Sequence, residues 1–190
     1  MLSKQYIGKI KKEYLDYAEK RREVIKLAGD ALHCAKRVIF TVHRHDYEVA
    51  KAKMVETESI LKDINKKFAG HKELFDEGAY RAALEEYVEA KLFSEFVATG
   101  KMSEIKTVPV DSDVFLAGLC DVPGELYRFA VNSATNRKFD AVADCKDAAE
   151  EIIGELMEFD LTSYLRNKFD QAKGALQKLE QIVYEVSLKK

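Results

Sequence analysis

Apolar residues open the chain at intervals of three or four: Ile7, Ile10, Tyr14, Tyr17, Val24, Ala28, Ala31, Ala35, Val38 and Val42, with Arg21 alone out of pattern. This is the one-sided stripe of an α-helix, and sustained this far it predicts a single helix on the order of 60 Å long. A second helix follows from about Asp46, carried by Tyr47, Ala50, Met54, Thr57, Leu61, Ile64 and Phe68, with Gly70 as its expected stop. After a short piece around Glu73 to Glu77, a helix runs from about Ala79 to Ala98 and stops at Gly100. The stretch Lys101 to Ser112, which contains Pro109, is irregular, and Asp113 then opens a helix to about Ser133, broken at Asn136. Val142, Cys145, Ala149, Ile152, Leu156 and Phe159 mark the next. Leu165, Phe169, Ala172, Leu176, Leu179, Val183 and Val186 mark the last. Nothing alternates like a strand, so the fold class is all-α, with seven helical segments in one domain over 1–190. A first helix far longer than the rest points to helices that also pack between subunits.

Composition narrows the class without changing it. With 47% hydrophobic and 34% charged residues the chain is ordered, and two prolines and nine glycines leave room for long helices. A net charge of -2 argues against indiscriminate coating of nucleic acid, so any such contact needs a local basic surface. Cys34, Cys120 and Cys145 are widely spaced and form no C-x-x-C, which fits reduced thiols in a cytoplasmic protein rather than a zinc finger or a disulfide framework. The charged N-terminus does not read as a signal peptide, and no apolar run approaches the ~20 residues of a membrane span.

Two carboxylate pairs stand where charge is costly. Glu86 and Glu89 share a helix face with Ala79, Ala82, Ala90, Phe93 and Val97, while Arg81, Glu85, Lys91 and Glu95 fall on the opposite arc. In the following long helix Asp121, Glu125, Arg128 and Asn132 form one stripe, opposite Phe115, Leu119, Val122, Leu126 and Ala130. Ala117, Gly118 and Gly124 flank these acids and leave room for a ligand to approach. Side by side, the two helices would gather four carboxylates that repel one another unless cations sit among them. Hard Mg²⁺ or Mn²⁺ prefers such all-oxygen surroundings, and paired cations can activate a water for phosphodiester cleavage. Salt bridges at a surface or between helices are the competing explanation of the same acids. Glu155 and Glu158 repeat the E-x-x-E spacing, but they lie with Asp144, Asp147 and Glu151 on a solvated face and carry no function. A di-iron centre is disfavoured because no glutamate has a histidine three residues on.

Three stretches together resemble the signatures of the translin/TRAX family: Ala35-Lys-Arg-Val-Ile-Phe-Thr-Val-His-Arg44, Glu86-Tyr-Val-Glu-Ala90, and Gly118-Leu-Cys-Asp-Val-Pro-Gly-Glu-Leu-Tyr-Arg128 followed by Asn132-Ser133. The ending Arg166-x-Lys168-x-Asp170, Lys178-Leu-Glu180 and Val183-Tyr184 is similar as well. The resemblance implies a seven-helix translin-like bundle that assembles into a homo-oligomeric shell, an octamer. In its TRAX-like branch it implies a Mg²⁺-dependent endoribonuclease that cleaves single-stranded RNA with metal-bound water as nucleophile. Glu86, Glu89, Asp121 and Glu125 match the acids that hold the metal and perform catalysis, and having all four favours the nuclease. The alternative is a non-catalytic, translin-like oligomer that binds single-stranded RNA or DNA. On the first helix Lys26, Asp30, His33, Arg37 and Arg44 share a stripe, with Lys36 and His43 at its edge. By resemblance Arg37, His43, Arg44 and Arg128 become the expected RNA contacts, or partners of the acids. Pro123 departs from the family pattern and is expected to kink the helix between Asp121 and Glu125.

Overall fold

The computed structural model describes residues 2–188 as helices joined by short connections. Six α-helices are present among them: α1 (Lys4–His43), α2 (Tyr47–Lys67), α3 (Gly78–Thr99), α4 (Ser112–Thr135), α5 (Phe139–Met157) and α6 (Ser163–Ser187). A short 3₁₀ turn at Lys72–Asp76 supplies the seventh helical segment expected from spacing.

The ends follow local chemistry. Asp46 accepts from the Val49 amide at 3.4 Å and Asp111 from the Val114 amide at 2.9 Å, so carboxylates satisfy free donors at the starts of α2 and α4. Gly100 closes α3 at φ 72, a left-handed conformation that glycine adopts without penalty. Gly70 does not close α2 in this way. That helix ends at Lys67, and the turn beyond it is held by the His71 amide on the Phe68 carbonyl at 2.8 Å. Between α1 and α2 the chain reverses over Arg44–Asp46, with His45 at φ 60.

α1 packs on α2 and α3, α4 packs on α5 and α6, and the two groups join where α3 meets α4. Tyr87, Phe93, Leu92, Leu126, Val38 and Val24 are among the fully buried side chains of the shared core. Every residue from Leu2 to Asp16 is exposed, so the first turns of α1 extend past the core. All three cysteines are buried and free. Burial pushes the Cys120 thiol up to about 11 and Cys145 up to about 12, so neither supplies a thiolate nucleophile at neutral pH. Among the described residues no helix is long and apolar enough to cross a membrane.

Candidate metal and nucleic-acid site

Gly118 sets the approach of α3 to α4. A Cβ at this position would lie 2.6 Å from Val88 Cβ and 2.7 Å from the Glu85 carbonyl oxygen. The space beside the acids is therefore filled by α3 itself, and Gly118 serves helix contact rather than ligand entry. Gly124 faces open space, as expected. The contact falls within one turn of Glu86 and Glu89 on α3 and of Asp121 on α4. Pro123 is buried inside α4, which continues unbroken through it to Thr135, so no break separates Asp121 from Glu125.

The acids so gathered feel one another. Glu89 is buried, and desolvation together with the charges of Asp121, Glu86 and Glu125 raises its carboxyl to about 9. Burial likewise raises Glu86 and Asp121, against the pull of Lys36 on the first and Lys168 on the second. Three of the four are met by a cationic or imidazole group from another helix. Lys36 Nζ of α1 stands 3.5 Å from Glu86 Oε2. His43 Nε2, also of α1, contacts Glu125 Oε2, which lies 3.9 Å from Arg128 of its own helix. Lys168 of α6 contacts Asp121 Oδ2 and sits 3.4 Å from Glu85 Oε2, with Tyr164 donating to that same oxygen at 2.7 Å. Burial opposes the Lys168 charge, but Asp121, Glu85 and Tyr164 outweigh it and hold the ammonium above its ordinary range. Glu89 has no such partner among the described residues.

Charge and donor chemistry both fit a hard divalent cation, because an all-carboxylate group with one unpaired buried member is stabilised by added positive charge. Among the described residues no three acidic, histidine or cysteine side chains converge as a preformed metal cage. The reason is visible in the pairing, since Glu86, Asp121 and Glu125 are each turned toward a protein cation or the imidazole. Residues Glu86, Glu89, Asp121 and Glu125 are the ones that would hold the metal.

The predicted RNA contacts divide. Arg37, Arg44 and Arg128 are exposed. His43 is only 5% exposed, lies against Phe93 with ring centroids 4.9 Å apart, and meets an acid instead of solvent. Its Nδ1 is buried without a hydrogen-bond partner, so the Nε2–H tautomer facing Glu125 is the one the surroundings favour. Spacing alone missed Lys168 and Tyr164 as members of the site and placed Glu85 on the far arc of α3. Glu85 is in fact half-buried at the junction with α6. Glu155 and Glu158 are exposed, as expected of a solvated face.

An all-helical bundle with a buried carboxylate group at the seam of two helices, ringed by cations from two others, defines the class. The chain matches the Translin family model over residues 19–190, and it belongs to that family. It is similar to a Translin-associated protein X homolog of Schizosaccharomyces pombe, 24% identical over 131 residues, or 62% of this chain. The chain spans 57% of the length of that relative. Among solved structures it resembles AfC3PO (TM-score 0.89, 24% identity, 97% of this chain and 98% of that one). It also resembles apo-NeC3PO (TM-score 0.87, 22% identity, 98% of each chain). A complex of AfC3PO with duplex RNA matches at TM-score 0.86 and 23% identity, covering 97% of this chain and 98% of that chain. These likenesses establish the all-α fold.

Proposed function

We propose that this chain is a metal-dependent endoribonuclease of the TRAX type, acting on single-stranded RNA within a homo-oligomeric shell, an octamer by resemblance. The observation that carries the reading is the group Glu86, Glu89, Asp121 and Glu125 at the α3–α4 seam, with Glu89 buried and unpaired. RNA as a ligand is supported by the AfC3PO complex and by the exposed cations of α1. The S. pombe relative supports the TRAX branch.

Bound Mg²⁺ or Mn²⁺ would supply the positive charge that activates water and stabilises negative charge developing on the phosphate. The four carboxylates would hold that charge in place. Arg128 is exposed one turn after Glu125, where its guanidinium can contact a phosphate oxygen in bidentate fashion. In the reaction a water oxygen bonds to phosphorus, one ester P–O bond breaks, and the leaving oxygen gains a proton as the water loses one.

Labelled single-stranded RNA incubated with Mg²⁺ tests the proposal. Wild type should cleave, Glu89→Gln should be slower by at least about 100-fold, Glu158→Ala should be unaffected, and EDTA should stop the reaction. Equal rates for wild type and Glu89→Gln would overturn it. A second reading, a non-catalytic oligomer binding single-stranded RNA or DNA, is favoured by one observation: three of the four acids already face a protein lysine or histidine. It predicts RNA binding that persists in EDTA with no cleavage when metal is added.

A further inference from the structure

Phe40 of α1 is 51% exposed, although Val38, Ile39, Thr41, Val42 and His43 around it are buried. Its helical phase is close to that of two residues that reach the carboxylates. Lys36, Phe40 and His43 stand at i, i+4 and i+7, within an arc of about 60°. The first of these reaches Glu86 and the last reaches Glu125. Phe40 lies between them along the helix axis, at one edge of that arc, with its ring open to solvent. The Arg44 guanidinium stands 5.5 Å from the ring centroid, and Lys36 and Arg37 are exposed on the turn before it.

An aromatic surface collared by cations is poorly suited to an apolar protein partner and well suited to a polyanion whose bases have flat apolar faces. The other exposed large apolar residues of α1 (Tyr6, Ile7, Ile10, Tyr14 and Leu15) begin about 38 Å back along the helix and form a separate surface. We propose that Phe40, flanked by Arg44, is a stacking platform for one unpaired nucleobase of an RNA strand whose phosphate lies against the carboxylate site. The inference rests on RNA being the substrate. It adds a reason for single-strand preference, since bases stacked and paired in a duplex have no free face to offer.

The test is binding of a fluorescent short oligouridine, read by anisotropy in EDTA so that no strand is cut. Phe40→Ala should weaken binding about tenfold, or ~1.4 kcal/mol. Phe40→Trp should bind as wild type, and Phe40→Leu, apolar but without a flat face, should bind as poorly as alanine. An abasic strand of the same length should not distinguish wild type from Phe40→Ala. The inference is overturned if leucine restores binding, if the alanine loss persists on the abasic strand, or if Phe40→Ala changes the mass of the assembly in solution, which would make the ring a subunit contact. A Phe40-dependent binder that fails to cleave with Mg²⁺ keeps this inference and removes the nuclease reading. Cleavage by wild type with no Phe40 dependence of binding does the reverse.

Discussion

Substituting alanine at Gly118 isolates what the α3–α4 contact contributes. The added methyl would meet Val88 Cβ at 2.6 Å, about 1 Å inside an ordinary contact, and the Glu85 carbonyl at 2.7 Å, so backbone and not merely a side-chain tip must move. Overpacking of this kind costs about 1–3 kcal/mol. Alanine returns about 1 kcal/mol through its better helix propensity. The expected net is a loss of up to about 2 kcal/mol. Gly154 in α5 is the internal control: a Cβ there would have nothing within 4 Å, and alanine should stabilise by about 0.5–1 kcal/mol. Because the chain has no tryptophan, urea unfolding should be followed by far-ultraviolet circular dichroism, at one protomer concentration. The shift of α3 should also weaken Mn²⁺ binding at least about tenfold, since cation–oxygen distances tolerate only a few tenths of an ångström. If Gly118→Ala stabilises as much as Gly154→Ala and leaves Mn²⁺ affinity intact, the close approach of the two helices does not organise the site.

Three further outcomes are expected. Glu89 keeps its proton to about pH 9 in the folded chain, whereas an unfolded glutamate loses it near 4.5. Its contribution to stability is thus fully present below about pH 4.5 and declines as pH rises toward 9, by at most about 1.4 kcal/mol per unit. In EDTA the wild type should therefore lose more stability between pH 5 and 7 than Glu89→Gln, and Mg²⁺ at pH 8 should stabilise only the wild type; parallel pH profiles would refute this. Lys168→Met leaves Asp121 and Glu85 without their cation and should cost about 2–4 kcal/mol in EDTA, partly recovered by Mg²⁺ in a thermal melt. Glu158→Ala, on the exposed face, should shift stability by no more than about 0.5 kcal/mol, as measured by the same melts.

The helices were legible because their apolar spacing is regular, and so were the four acids, because E-x-x-E and D-x-x-x-E put each pair on one helix face. What spacing could not show was how wide the buried arc of each helix is. α3 touches α1, α2 and α4, so its burial extends around most of the helix and takes in residues such as Glu85 that a two-sided reading assigns to solvent. Partners were hidden for a different reason. Lys168 meets Asp121 across 47 positions, a separation over which helical period carries no information. His43 meets Glu125 across 82, and only the family resemblance points to it as a partner of the acids. Gly118 illustrates the remaining gap: a glycine beside acids reads equally as space for a ligand or space for a helix, and only the position of Val88 decides.

The pairing of Asp121 with Lys168 also orders events in time. During synthesis α3 and α4 emerge and can meet before α6 exists, so the acids come together while one of their neutralising charges is still unmade. Until the last helix docks, the seam holds an excess of negative charge that favours opening it again. A chain cut short before Ser163 would thus lose more than a helix: Asp121 and Glu85 would also lose the ammonium that offsets their charge at the seam.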